Sequence, residues 1–423
     1  MTATTLPPPR IATLDIVRGV AVMGILAMNI AAFAMPFQAY MNPVSFGMES
    51  GADFVSWVAS FILIDGKMRG LFSFLFGASM LLVIESAEWT GRSAASVHFR
   101  RMAWLLVFGL IHLYFIWFGD ILAGYALVGM IAWRFRDLSN LALIRWGIGL
   151  IVVQLLIFAG LAAATFMLRE AAAAPGADAA TIVEWRDLQS QFGVLSAAQL
   201  AQELSIYRGG YGGIIADRLR DHALAPLTGV FMFGWETLGY FLFGMAALRS
   251  GFLRGDWSAA AYRKAAVIGF GIGIPAYAIL AWVIARDGFS VPMVFAVVMA
   301  ATVPFRPLMV VATAALIILL TRRGGALVDR IAAAGRAAFT NYLGTSILMT
   351  TLFYGYGAGL YGSLSRAELW IPVLAMWALM LLWSKPWLDR FGYGPLEWLW
   401  RSLSRWEVQP MRKPPPAAAA PAA

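Results

Sequence analysis

The sequence contains no cysteine and only three histidines in 423 residues. Without thiols there is no disulfide scaffold, no thiolate metal site and no cysteine nucleophile. Three histidines that form no cluster also argue against a dedicated zinc site. Charge is scarce too: 13% of the residues are Asp, Glu, Lys or Arg, against roughly 25% in average soluble proteins. Apolar mass is what the chain has, at 61% hydrophobic residues with 28 Phe and 17 Trp. That balance excludes an ordinary soluble globular protein. The formal net charge is +9, and because the basic residues sit between apolar runs, they point to a membrane surface rather than to nucleic acid.

A bilayer core of about 30 Å takes about 20 apolar residues per helix. Ten candidate spans follow: 11–34, 68–86, 102–119, 121–134, 142–168, 223–249, 262–285, 292–321, 337–358 and 369–388. The expected fold is therefore an all-α, polytopic transmembrane bundle of about ten spans, forming one membrane domain over 1–408. The fourth span is short and follows the third after only Gly119 and Asp120, as in a tight hairpin or a partly inserted helix. Phe54 to Ile64 is too short to cross. Asp53 before it and Asp65, Lys67 and Arg69 after it predict an interfacial or re-entrant helix that breaks at Gly66. Residues 169–222 form the one large polar loop, with seven acidic and five basic residues, read as an external helical cap or as disorder in its Ala- and Gly-rich start. At 394–406, Leu396, Leu399, Trp400, Leu403 and Trp406 recur at helical spacing opposite Glu397, Arg401 and Arg405, the pattern of an interfacial helix. The tail at 409–423, rich in Pro and Ala, is expected to be disordered. Asp15 and Arg18 mark the first span as a retained helix rather than a signal peptide. No internal repeat of the transporter kind is visible.

Cytoplasmic loops hold the excess of Lys and Arg, which sets orientation. With the N-terminus inside, the cytoplasmic segments contain 21 of the 32 basic residues and 8 of the 23 acidic ones. Their net charge is +13 and the remainder of the chain carries −4. Both termini are expected to be cytoplasmic.

Ionisable groups inside a membrane cost roughly 2.5 to 3.5 kcal/mol each on insertion scales, so each needs a partner or a task. In the first span Asp15, Arg18 and Asn29 share one helical stripe. It reads equally as a binding face and as a structural ion pair with an interhelical amide bond. His112 is the only histidine within a span and a candidate general base. Asp120 lies eight residues on, about 12 Å along a straight helix and about 80° around it, out of direct reach. It is read both as a catalytic group and as a helix cap. Glu236 needs an Arg, Lys or hydroxyl partner. Lys67 and Arg69 read as solvated anchors at the external end of the second span. Arg306, between Pro304 and Pro307, marks a break in the eighth span. Arg336 and Asn341 open the ninth span beside the basic pair Arg322 and Arg323. This basic cytoplasmic mouth suits the phosphates of a nucleotide-like donor, although topology alone also predicts basic residues there. No Walker or dinucleotide fingerprint is present.

Several separated motifs carry a resemblance. Arg10-Ile-x-x-Leu-Asp-x-x-Arg-Gly running to Met28-Asn29, Gly66-Lys-Met-Arg-x-Leu-Phe-Ser-Phe-Leu-Phe-Gly77 and Gly119-Asp-Ile-Leu-x-x-Tyr-Ala126 resemble the YeiB family (domain of unknown function 418) of bacterial membrane proteins. Phe339-Thr-Asn-Tyr-Leu-Gly-Thr-Ser and Gly394-Pro-Leu-Glu-Trp-Leu-Trp-Arg401 match it too, so the resemblance covers nearly the whole chain. It implies a multi-pass protein of the bacterial inner membrane. Through its first helix that family is similar to transmembrane acyltransferases such as heparan-alpha-glucosaminide N-acetyltransferase. There the Leu-Asp-x-x-Arg-Gly element leads to an active-site Asn, and Asn29 is the matching position. Where those enzymes place their histidine, this chain has Gln38, Tyr40 and Asn42 and no His before His98. The resemblance thus leaves the base to His112 from another helix, to a different chemistry, or to none. What it implies is transfer of an acyl group from cytoplasmic acyl-CoA, such as acetyl-CoA, to a carbohydrate or lipid-linked acceptor, with no metal. Asn29, His112 and Asp120 would act at the reacting centre, and Arg18, Arg336 and Asn341 would hold the donor. A small-solute transporter and a non-catalytic membrane protein remain as alternatives. The oligomeric state is open, with a homodimer among the options.

Overall fold

The structure is a computed structural model that describes residues 11–221 and 223–413. Among them secondary structure is helical throughout, with a single isolated β-bridge between Phe391 and Arg412. Among the described residues seven helices are long and apolar enough to cross a membrane, or eight if one bent helix pair is counted as a single span. They are α1 (Ala12–Ala34), α3 with α4 (Gly51–Leu63 and Lys67–Trp89), α5 (Ala94–Ile111), α7 (Asn140–Ala173), α11 (Ala225–Arg249), α12 (Ala259–Asp287) and α17 (Trp370–Arg390). The bent pair is Val291–Ala301, which opens with the short α13 (Val291–Met293), and α14 (Arg306–Thr321), at 54° to each other. Its bend falls where Pro304 and Pro307 remove backbone donors, as the sequence predicts. The other two expected spans are shorter helices, α6 (Leu122–Ala132) and α16 (Ala338–Phe353).

Burial separates the centre from the rim. In α1, 19 of 23 residues are buried; in α7, 8 of 34 are. The exposed side chains of α7 and α12 include Trp146, Ile148, Leu156, Val267, Ile279 and Trp282. Apolar groups on the outside and a packed helix in the middle are what hydrocarbon as solvent requires. Close crossings use glycine. A Cβ on Gly77 of α4 would meet the Phe241 carbonyl of α11, and one on Gly244 would meet the Phe74 carbonyl, so both positions must stay bare for these helices to touch.

One end of the bundle holds Ile11 and Lys413; we call the opposite end distal. There α2 (Phe37–Met41) and a short cap of α8 (Ala179–Phe192), α9 (Ala197–Tyr207) and α10 (Tyr211–Asp221) close over the helices. Of the polar loop, 169–173 continue α7 and the three cap helices follow from residue 179. Asn42 fastens the cap by donating to the carbonyls of Phe192 (3.1 Å) and Phe289 (3.0 Å), and the Tyr361 hydroxyl donates to the Met35 carbonyl (2.9 Å). Glu203 accepts from Phe37 N and the Tyr361 hydroxyl, and burial pushes its carboxyl up. The helix expected at 54–64 forms as α3 and breaks at Gly66, whose φ of 71° suits only glycine without strain. Its Trp57 and Phe61 pack on Tyr277 and Ile284 of α12.

At the terminal end α15 (Ala326–Arg336) lies along α1, and α18 (Pro395–Arg405) is the predicted amphipathic helix. Glu397 departs from expectation. Instead of facing solvent with Arg401, it turns inward and accepts from Phe339 N (2.6 Å), Thr340 N (3.0 Å) and the Thr340 hydroxyl (2.6 Å), capping α16. Burial nevertheless pushes its carboxyl above the usual range. Residues 409–413, expected as the start of a disordered tail, are held by Trp398 Nε1 on the Gln409 carbonyl (2.7 Å) and Gly392 N on the Met411 carbonyl (2.9 Å). The remaining tail, 414–423, lies outside the described residues.

Candidate functional site

A cavity of about 480 Å³ occupies the distal half of the bundle. Asn29 of α1 faces it, and among the described residues its side-chain amide makes no hydrogen bond to protein. An amide that neither caps nor crosslinks helices inside an apolar bundle is available to a ligand. This disfavours the interhelical bond as its role.

The cavity is bounded on another side by the chain reversal after α5. That helix passes at His112 into a π-helical turn, His112–Ile116, and Trp117 is extended at φ −156° and ψ 134°. The reversal carries Asp120 back until its Oδ2 lies 2.7 Å from His112 Nδ1. A straight helix would have kept them apart, so the expected separation is corrected: the two side chains touch. Both are almost fully buried, at 0% and 1% exposure. Asp120 also accepts from Ala123 N at 2.7 Å through Oδ1, so it caps the fourth span and orients the histidine at once. A carboxylate on Nδ1 assigns the proton to that nitrogen and leaves Nε2 with its lone pair. Nε2 is buried with no protein partner. The imidazole lies between Trp117 and Tyr342, with ring centroids 6.2 and 5.2 Å away. Trp117 lines the distal cavity, as do Asn29 and Asp120; His112 stands one layer behind.

The far wall is ionic. Glu236, with 0% exposure, binds Arg69 at 2.8 Å and Arg306 at 3.1 Å, so α4, α11 and α14 are joined through one carboxylate. Tyr240 donates to it at 3.3 Å. Arg306 also satisfies carbonyls freed by the broken span, at Val298 (2.9 Å) and Met299 (3.3 Å). The partner demanded for Glu236 is found, and the break at Arg306 serves the cavity. Lys67 and Arg69 differ from the solvated anchors expected. Lys67 is fully buried, donating to the Phe61 carbonyl at 2.5 Å with Nζ 3.2 Å from the Tyr277 ring centroid. Phe61, six residues upstream on α3, and Tyr277 of the distant α12 enclose it. The partly buried Tyr40 phenol on the cavity wall is pushed up to about 12, chiefly by desolvation with the Asp65 carboxylate adding to it. It is therefore neutral.

A second cavity, about 160 Å³, lies toward the terminal end and is lined by Arg18 and Arg336. Arg18 donates to Asp15 (3.2 Å), its predicted i, i+3 partner, and to Ser79 (2.7 Å). Asn341 lines neither cavity. Its amide donates to the Ala334 carbonyl and Ser384 and accepts from Trp383 Nε1, tying α16 to α15 and α17. The two cavities meet at Tyr125, which lines both and shares a 2.6 Å hydrogen bond with Ser73. Tyr342 lines the terminal cavity and touches His112. Sequence reasoning gave neither Tyr125 nor Trp117 a role: Tyr125 entered as one residue of the Gly119–Ala126 motif, and Trp117 stands just before it.

Comparison with known proteins places the chain. The sequence profile described as "Protein of unknown function (DUF418)" matches residues 247–407. The chain is 34% identical to the uncharacterized protein YeiB of Escherichia coli (strain K12), over 93% of this chain and 95% of that protein. It is 32% identical to the uncharacterized protein YxaH of Bacillus subtilis (strain 168), over 97% of this chain and 98% of that protein. No solved structure matches it significantly. The chain belongs to the YeiB-like DUF418 family.

Proposed function

We propose that this DUF418 member is an integral-membrane acyltransferase that moves an acyl group from cytoplasmic acyl-CoA to an acceptor in the distal cavity. The observation that carries this reading is a buried His–Asp pair with a free Nε2 set between two cavities that share Tyr125: Asp120 is on the distal wall, and Tyr342 of the terminal wall lies against His112. The bundle has ten spans, with the short helices α6 and α16 completing the set, and both termini lie in the cytoplasm of a bacterial inner-membrane protein. The excess of positive charge at the terminal end supports that orientation.

In the mechanism Arg18 and Arg336 hold donor phosphates at the terminal mouth, and the thioester reaches toward Tyr125. The acceptor, a hydroxyl or amine, loses its proton to His112 Nε2 as its oxygen or nitrogen attacks the thioester carbon. The C–S bond then breaks and the imidazolium returns the proton to the departing CoA thiolate. Asp120 holds the ring and stabilises its charged form. Asn29 donates to the developing oxyanion, a role worth about 3 to 4 kcal/mol where such donors have been removed. Because Trp117 and Tyr342 cover the imidazole, one of these rings turns aside on acceptor binding. The test is CoA-ester binding and turnover by the detergent-purified chain, with Asn29→Ala and His112→Ala as controls. No binding at millimolar acyl-CoA sinks the proposal.

The broken eighth span and the shared wall at Tyr125 also suit a small-solute transporter with alternating access. Solute uptake into proteoliposomes without acyl-CoA would favour that alternative. Topology is read by single-cysteine labelling, which the cysteine-free chain makes unambiguous.

A further inference from the structure

The distal cavity has two kinds of lining. Arg69, Arg306 and Asp65 supply charged wall, and Phe158, Met232 and Phe233 supply apolar lining, with the Phe233 ring centroid 5.3 Å from the Arg69 guanidinium. Its rim includes Ala225, Thr228 and Gly229 from the first turns of α11. Here α11 stands away from its neighbours. Leu224, Leu227 and Phe231 are 67%, 64% and 64% exposed, whereas Glu236 through Phe241 are buried. A Cβ on Gly229 would meet nothing within 4 Å, and one on Gly124 across the gap would meet only Val230, at 4.0 Å. Large apolar side chains exposed around an opening, in a helix apolar enough to span, face hydrocarbon. The opening is therefore lateral, toward lipid.

The charged wall is suited to an anion. One carboxylate between two guanidiniums leaves the Arg69, Glu236 and Arg306 triad with a positive charge over. Arg306 spends both terminal nitrogens on Glu236, Thr302 and two carbonyls. Arg69 gives one nitrogen to Glu236 and lies 5.3 Å from the Phe233 ring centroid; among the described residues its other side-chain donors have no hydrogen-bond acceptor, and the residue lines the cavity. The other acid on the wall, Asp65, has Lys67, Arg366 and Arg306 beside it. A phosphate is the group that a guanidinium with open donors, backed by a second cation, recognises best.

Resting on the acyltransferase reading, we propose that the acceptor is a lipid phosphate. Its head sits against Arg69, and its chain leaves sideways between the start of α11 and the turn after α5. A volume of about 480 Å³ takes a headgroup and the first few methylenes; the rest of the chain stays in the bilayer.

Isothermal titration of the detergent-purified full chain, without any acyl donor, tests this. The probes are dioctanoyl phosphatidylglycerol, dioctanoylglycerol without phosphate, and glycerol 3-phosphate without chains. The phospholipid is expected to bind at least about tenfold more tightly than either fragment. Arg69→Gln should weaken it about tenfold. Gly229→Trp, which fills the opening where the structure has room, should weaken the phospholipid about tenfold and leave glycerol 3-phosphate unchanged. Should Arg69→Gln fail to fold, Gly229→Trp decides alone. Equal binding of glycerol 3-phosphate and phospholipid, or phospholipid binding indifferent to Gly229→Trp, overturns lipid entry and indicates a water-soluble acceptor. Because no donor is present, lipid binding is read independently of transfer: binding here, together with no acyl transfer once acyl-CoA is supplied, refutes the enzyme reading and leaves the lipid site standing.

Discussion

The two ends of the bundle use charge differently. At the terminal end the pairs are local: Arg18 with the buried Asp15 at i, i+3, and the solvated Lys385 with Asp389 at i, i+4, where the side chains are 37% and 58% exposed. At the distal end Glu236, Arg69 and Arg306 come from three helices, and the carboxylate is wholly enclosed. Exposed pairs contribute about 0 to 1 kcal/mol. A buried network is costly to assemble and costlier to break, about 3 to 5 kcal/mol when one partner is lost. The terminal pairs join neighbours on one helix, whereas the distal network ties three helices through one enclosed carboxylate.

The sharpest way to break that contrast is to remove the shared carboxylate. Glu236→Ala leaves two guanidiniums facing each other in the bundle and should lower stability by about 3 to 5 kcal/mol, read as loss of the monodisperse peak after mild heating. Lys385→Ala should cost less than about 1 kcal/mol in the same assay. Equal losses would erase the distinction.

Chemistry gives the next largest effects. Asp120→Asn leaves an amide oxygen for the Ala123 cap but loses the charge on His112. It should cut acyl transfer by about 10² to 10⁴ with little change in donor affinity. Arg18→Ala should do the reverse, raising the apparent KM for acyl-CoA about tenfold with kcat near wild type. A kcat loss for Arg18→Ala would move the reacting centre toward the terminal cavity.

The smallest effect concerns pH. Burial raises the Glu397 carboxyl, so its proton is held more tightly in the folded state than in the unfolded chain. Its contribution is full below the unfolded carboxylate value of about 4.3 and is lost as pH rises through the raised folded value. Glu397→Gln should flatten the fall in Tm across that window. An unchanged slope would show that the cap on α16 is not protonation-linked.

The long apolar helices were legible because about twenty apolar residues in a row are a property of composition, and the break at Pro304 and Pro307 because proline acts locally, whereas the spans expected at 121–134 and 337–358 are the shorter helices α6 and α16. The pairing of Asp15 with Arg18 followed from helix geometry. What could not be read were contacts made by departures from that geometry or by distant segments. A straight helix separates His112 from Asp120, and only the π turn with extended Trp117 joins them. Lys67 looked solvated because Phe61 and Tyr277 enclose it through folding. Asn341 looked like a donor ligand because its partner Trp383 lies on another helix. Neither cavity has a sequence signature, since both are spaces left between helices.

The central claim is that two cavities from opposite ends serve one His–Asp pair. Its most direct measurement supplies radiolabelled acetyl-CoA to the terminal face of proteoliposomes and dioctanoyl phosphatidylglycerol to the distal face. The account predicts labelled lipid on the distal side, abolished by His112→Ala. Label that stays on CoA in the wild type, with both ligands shown to bind, would contradict it.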